Sequence, residues 1–357
     1  MQQKPFKGWK DELQAIINKN IDKRANGKIA SAKTQADRAT LLFNSFKELR
    51  KRGYAVSPHN LKPRHVQILC DWMISSTEYD GSSKRVASPA TIQTYLMHLR
   101  AFARWIGKDG MIGPASNYIT DKAHYERSYA AVTEKTWTAK GIDIAQKVSE
   151  VKMDNYYVWA QLLLVQAFGL RLKEAVSIRP HMNAIEGSLH VIKNSKGGKN
   201  RIIPIETEFQ VFVINAVKQM VGKTSLELRD PKLSLAQNMK KFSNTMAKHG
   251  LTKKNLGATL HWLRAEYVID YMQSKGLVPL VSGGEVGQLP KDEEMEIRLQ
   301  ASQRLGHNRV GITTAYSGAF TETGKMRPEK ASQQQPTKSP KEADEDGDDE
   351  PEAELIE

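Results

Sequence analysis

A single cysteine, Cys70, stands in a chain of 357 residues. It excludes an internal disulfide and cannot build a zinc site by itself, which suits a reducing compartment. The nine histidines show no metal-ligand spacing. No stretch near the start has the apolar run of a signal peptide, and no segment is long and apolar enough to span a bilayer. A phosphate-binding loop is missing as well. Gly222-Lys223-Thr224 has its ending, but Val217 occupies the place of its first glycine. There is no internal repeat. A cytoplasmic protein, neither membrane-bound nor built on a metal, is expected.

What the chain does have is positive charge. The net charge is +13, yet residues 341–357 hold ten acidic residues against one lysine, so the remaining body carries +22. Such an excess favours a polyanion, and nucleic acid is the commonest one. An anionic membrane would want a basic amphipathic helix or a lipidation signal, and neither stands out.

The length suggests two domains. In residues 1–29, Trp9, Leu13, Ile16, Ile17 and Ile21 fall at helical intervals, as an amphipathic helix packed on the next domain, or as a separate arm. Residues 30–126 read as a helical unit with helices at 40–51, 61–76 and 89–106. The last is the clearest: Ser88 caps it, Pro89 takes its first position and Gly107 marks its end. Its apolar stripe is Ile92, Tyr95, Leu96, Leu99, Phe102, Ala103 and Ile106. Arg100, Arg104 and Lys108 recur at four-residue steps on another face, as a solvated surface or as phosphate contacts.

Residues 127–152 read as a linker. The next unit, 153–323, opens with Asp154 as a candidate cap and a run, YYVWAQLLLVQAF, that is apolar on nearly every side. That is the mark of a buried helix, and Gly169 ends it. A helical piece at 172–177 follows, stopped by Pro180. Residues 188–192 and 201–205 read as a β-hairpin with Lys196 at its Gly-rich bend and Pro204 forcing an edge or a short strand. Helices are expected at 208–221, 234–249, 258–275 and 295–305, with a Gly/Pro-rich loop at 276–292. Residues 324–357 turn polar, then acidic, and are expected to be disordered.

Within this unit stand residues that suit an anion. Arg171 directly follows a buried helix, with Glu174 three residues later, so it is either an internal ion pair or a guanidinium fork held for a phosphate. His261 and Arg264 are three apart on one helical face. Lys196, with Lys199 as its competitor, could be delivered by the hairpin tip. The stretch 305–317, LGHNRVGITTAYS, adds His307 and, nine positions on, Tyr316, the one plausible nucleophile.

Taken in order, GLRLKE (169–174), SKGGKNR (195–201), HWLR (261–264), LGH (305–307) and Tyr316 resemble the catalytic domain of the tyrosine recombinases, the phage integrase family. The resemblance covers roughly residues 150–320, and more weakly 30–126, through TIQTYLMHLRAFARWIG, that family's helical core-DNA-binding domain. It implies a mainly α protein with a small β-sheet (α+β), in two domains that clamp double-stranded DNA as a homotetramer on two sites, with accessory DNA-bending or directionality factors. Arg171, Arg264 and His307 would grip the scissile phosphate. Tyr316 would attack it to form a 3′-phosphotyrosyl link, Lys196 would protonate the leaving 5′-hydroxyl, His261 would assist proton transfer, and Glu174 would orient its neighbours. The DNA backbone energy is kept in the protein–DNA bond, so no ATP, metal or other cofactor is implied. The implied role is site-specific recombination, integrating or excising a mobile element at the nucleoid. The alternatives are a non-catalytic DNA-binding protein on the same fold and type IB topoisomerase-like relaxation.

Overall fold

The computed structural model describes residues 8–23, 27, 29–192, 200–223 and 226–320. Lys196, Lys199 and the acidic stretch 341–357 lie outside them. The described chain falls into two units that meet at Arg127 and Ser128, each with its own apolar core.

The first unit is helical: α1 (Trp9–Asn20), α2 (Ala32–Lys51), α3 (Pro63–Ile74) and α4 (Pro89–Trp105). Leu13, Ile16 and Ile17 bury the apolar stripe of α1 in one core with Leu42, Phe46 and Phe102, so α1 is packed on this unit and is no free arm. Helix α2 begins eight residues earlier than its apolar pattern suggests. Ser31 caps it by accepting from Thr34 N at 3.2 Å, and its first two turns, AKTQADRA, carry no large apolar residue to betray them. Helix α4 is as expected, with Ser88 as its cap and Ile92, Leu96, Leu99, Phe102 and Ala103 inside.

In the basic row, Arg100 and Arg104 lie on α4 and Lys108 just beyond its end. Arg100 donates to Ile112 O at 3.3 Å and to Gly113 O at 2.7 Å. Lys108 donates to His59 O at 2.6 Å and to Leu61 O at 2.9 Å. Arg104 keeps an exposed head beside Asp109, 3.8 Å away. Periodicity shows which face a side chain takes, but not that a loop folds back to supply carbonyls there.

The second unit is built around α6 (Tyr156–Phe168), which is apolar all round and buried on nearly every side. Helix α5 (Ile144–Asp154) precedes it, and α7 (Leu172–Ser177) and α8 (Pro180–Asn183) follow. The cap of α6 is Asn155, whose Oδ1 accepts from Val158 N at 3.1 Å. Asp154, the expected cap, ends α5 and pairs with Lys248 and His249. The strands β1 (Ala184–Ile185), β2 (Ser188–Val191) and β3 (Arg201–Pro204) form an antiparallel sheet in that order, with Leu189 opposite Ile203 and Val191 opposite Arg201. β3 is an edge strand, as β1 is, and Pro204 ends it. Of these strands, β1, two residues long, gave no pattern to read.

The remaining helices are α9 (Glu208–Val221), α10 (Leu235–Lys248), α11 (Lys253–Leu256), α12 (Leu260–Ser274), α13 (Lys291–Arg304) and α14 (Thr314–Ser317). Helices α9 and α12 pack on α6 with α5 and α7. α13 starts four residues before its expected beginning, because Asp292, Glu293 and Glu294 favour the positive end of a helix without marking an apolar face.

Residues 127–152 are more than a linker. Trp137 is 1% exposed within the second core. Its backbone N donates to Glu266 Oε2 at 2.8 Å and its indole to Thr259 O at 2.9 Å. Val148 and Val151 of α5 join the same core. Among the described residues no helix is long and apolar enough to cross a membrane.

Candidate active site

Four short pieces of chain bring the site together. Helix α6 stops at Gly169, whose left-handed backbone (φ 58°, ψ 34°) turns the chain out of the core. A side chain there is excluded twice, because a Cβ would also come within 2.5 Å of the Tyr267 ring. The turn puts Arg171 at the N-cap of α7. Glu174, one turn on, closes the helix start by accepting from Arg171 N at 2.8 Å.

Arg264 lies on α12 and is 2% exposed. Its Nη1 donates to Gly169 O, and its Nη2 donates to Leu305 O at 2.7 Å. One guanidinium thus ties the loop that carries Arg171 to the loop that carries His307. Burial draws its pKa down to about 10, so it keeps its charge at pH 7. Its Nε–H, also buried, finds no acceptor among the described residues.

His307 follows α13 across Gly306. Arg171 Nη2 lies 3.1 Å from His307 Nε2. A guanidinium has no acceptor, so Arg171 donates and Nε2 accepts in this arrangement. Beyond it, a 3-10 turn over Val310–Thr313 runs into α14. Ser317 Oγ donates to Thr313 O at 2.9 Å, and Ala131 N donates to Thr314 O at 2.8 Å. These bonds fix a helix too short to hold itself, with Tyr316 on it.

The Tyr316 ring lies against His261, centroids 5.6 Å apart and planes tilted by 38°. Its phenol is within the field of Arg264. His261 is exposed on one side. Burial of its inner side, then the positive charges of Arg264, Arg171 and Lys135, push its pKa down to about 4. It is therefore a neutral imidazole at pH 7, and a weaker base than a free one until negative charge arrives beside it.

Glu174 is 1% exposed and meets Arg171 Nη1 at 3.0 Å. The sequence offers both an internal ion pair for Arg171 and a phosphate fork, and the structure holds the ion pair with another Nη left to face His307. A residue that the sequence did not single out completes the group. Arg201, the first residue of β3, donates from Nη1 to Glu174 Oε1 at 2.8 Å, from Nη2 to Oε2 at 2.7 Å, and from Nε to Arg304 O at 2.8 Å. Burial alone would raise the Glu174 pKa. The hydrogen bond and charge of Arg201, then the charges of Arg264 and Arg171, overcome it and bring the carboxyl down to about 2. The strand alternation held a signal for Arg201, since it shares the inward face with Ile203, and an inward arginine needs a carboxylate.

Arg171, Glu174, His261, Arg264, His307 and Tyr316 thus share one site. Arg100, Arg104 and Lys108 belong to the other unit. Among the described residues no group of three or more His, Cys, Asp or Glu side chains could hold a metal ion. What the site offers is fixed positive charge, one neutral imidazole and one phenol. That set suits an anion in which charge builds up during attack by the phenol.

Residues 126–270 match the family model described as Integrase. The fold is similar to that of lambda integrase in a dimer bound to a COC′ core site, with a TM-score of 0.53 at 16% identity over 87% of this chain and 94% of that one. It is also similar to lambda integrase in a tetramer bound to a Holliday junction, at TM-score 0.52 and 16% identity, over 89% and 80% of the two chains. The Tn1549 transposon integrase in complex with transposon right end DNA gives a TM-score of 0.55 at 14% identity, over 88% and 96%. No curated protein matches in sequence. At these identities the solved structures speak for the fold, and the match over residues 126–270 speaks for the family. The matched stretch lies almost wholly in the second unit and is similar to the Integrase family, and the fold is similar to that of the integrases just named.

Proposed function

We propose that this protein is a site-specific DNA recombinase that cuts and rejoins strands through a 3′-phosphotyrosyl intermediate. The observation that carries the reading is the convergence of Arg171, Arg264 and His307 beside Tyr316, with a buried Arg264 Nε–H that lacks an acceptor among the described residues. A scissile phosphate supplies the acceptors this group is missing. Arg171 and Arg264 bind its non-bridging oxygens, and His307, released from Arg171 and protonated at Nε2, adds a third donor. Charge on the pentacoordinate transition state is then met by groups already in place.

Tyr316 Oη attacks phosphorus and the bond to the 5′-oxygen breaks, which leaves the 3′-phosphate on the tyrosine. His261, neutral and next to the phenol, takes its proton. Lys196 gives a proton to the leaving 5′-hydroxyl, with Lys199 as the alternative. Attack by the 5′-hydroxyl of another strand reverses the step and restores Tyr316, so bond energy is conserved without a nucleotide cofactor. Strand exchange requires paired sites, hence a homotetramer on two duplexes at the nucleoid, helped by DNA-bending or directionality factors, that integrates or excises a mobile element. In the first unit Arg104 is the member of its basic row with an exposed head for a phosphate.

The test is a nicked duplex carrying the DNA that flanks the gene, in which cleavage releases a short strand and traps the adduct. Wild type should form a covalent complex that survives denaturing electrophoresis, and Tyr316→Phe should form none. Adduct formation by Tyr316→Phe at the wild-type rate would falsify the assignment.

A further inference from the structure

Arg201 has no part in the steps just described, yet it is the strongest partner of Glu174, a buried carboxylate beside the site. Glu174 accepts four hydrogen bonds: two from the Arg201 fork, one from Arg171 Nη1 and one from Arg171 N. Both its oxygens are thereby shared between two arginines. The Arg201 head is itself fixed, by Arg304 O and by Gly306, where a Cβ would stand 3.1 Å from Arg201 Nη1. Gly306 has φ 80° and immediately precedes His307, so this backbone favours glycine and the space needs it.

We propose that Arg201 is a positioning residue that keeps Glu174 from closing on Arg171. A carboxylate and a guanidinium left alone form a two-pronged pair, planar and mutually neutralising. Arg171 is already 3.0 Å from Glu174 by one prong. With Arg201 occupying both carboxylate oxygens, the second prong cannot form, and Arg171 Nη2 stays turned to His307 and to an incoming phosphate. Without Arg201, Glu174 draws the Arg171 fork inward and cancels the charge it should present. Because Arg201 opens β3, the same contact ties the strand leading out of the hairpin to the phosphate clamp.

This inference rests on the recombinase reading, and its test separates the two. Single-turnover adduct formation on the nicked duplex is measured beside DNA affinity and thermal melting for wild type, Arg201→Gln, Glu174→Gln and the double variant. Arg201→Gln should slow adduct formation by about tenfold or more, as loss of a transition-state donor does, with little change in DNA affinity. Adding Glu174→Gln should restore much of the lost rate, since no carboxylate remains to capture Arg171. If Arg201→Gln alone does not fold, the double variant, which removes the Glu174 carboxylate together with its Arg201 partner, is compared with Glu174→Gln, and rates within about threefold of each other are expected on the same ground. Equal losses from Arg201→Gln with and without the carboxylate, or no loss in either, overturn the proposal. Failure of wild type to form any adduct defeats the recombinase reading itself and this inference with it.

Discussion

Arg264 donates to Gly169 O and Leu305 O from a position 2% exposed, so its removal leaves two carbonyls without a partner as well as a cavity. Arg264→Ala should lower stability by about 2–5 kcal/mol in urea unfolding. Arg264→Lys keeps the charge but a single ammonium cannot span both loops, and adduct formation should fall by about a hundredfold. Glu174 makes a different prediction. Its folded pKa of about 2 lies below the ordinary value of 4.5. The unfolded chain takes up the proton first as pH falls, so the stabilisation is complete above 4.5 and is lost as pH drops towards 2. The stability difference between wild type and Glu174→Gln should narrow over that window, and a difference constant with pH contradicts the assignment. At this scale the sequence was legible wherever partners are close along it. Arg171 with Glu174, and His261 with Arg264, sit one helical turn apart. Arg201 was hidden because its carboxylate partner lies 27 positions away, and the carbonyl partners of Arg100 and Lys108 lie on two separate loops that no periodicity reports.

Elements were legible in proportion to their apolar pattern. Helix α6, apolar on nearly every side, and α4, with its Ser-Pro start, were plain, while the polar first turns of α2 and α13 were invisible. The turn at Gly169 is where element geometry and site geometry coincide. Gly169→Ala forces a left-handed alanine against the Tyr267 ring, 2.5 Å away, and should cost about 1–3 kcal/mol. Because Arg171 follows two residues later, adduct formation should fall further than DNA affinity does. A rate unchanged alongside a lowered melting temperature would show that the turn serves the core alone. The segment 127–152 reads as a linker by composition, since Thr, Lys and Ala dominate it. Trp137 reverses that reading through contacts with Glu266 and Thr259, far along the chain. Trp137→Ala should destabilise the second unit by about 3–5 kcal/mol in urea unfolding.

For the whole molecule the dominant quantity is charge. The body carries +22 and residues 341–357 carry nine net negative charges. Their deletion should tighten nonspecific DNA binding and steepen its salt dependence, because more counterions are then released on binding. Unchanged affinity across a salt series contradicts a screening role for this segment. Charge alone points only to a polyanion. The proposed strand cleavage rests on a site in which Arg171, Arg264, His261 and His307 gather beside Tyr316. The most direct measurement of that account is peptide mapping of the covalent adduct from the nicked duplex. The account predicts a single DNA-linked peptide, joined through Tyr316 to a 3′-phosphate. Linkage to another residue, or to a 5′-phosphate, contradicts it.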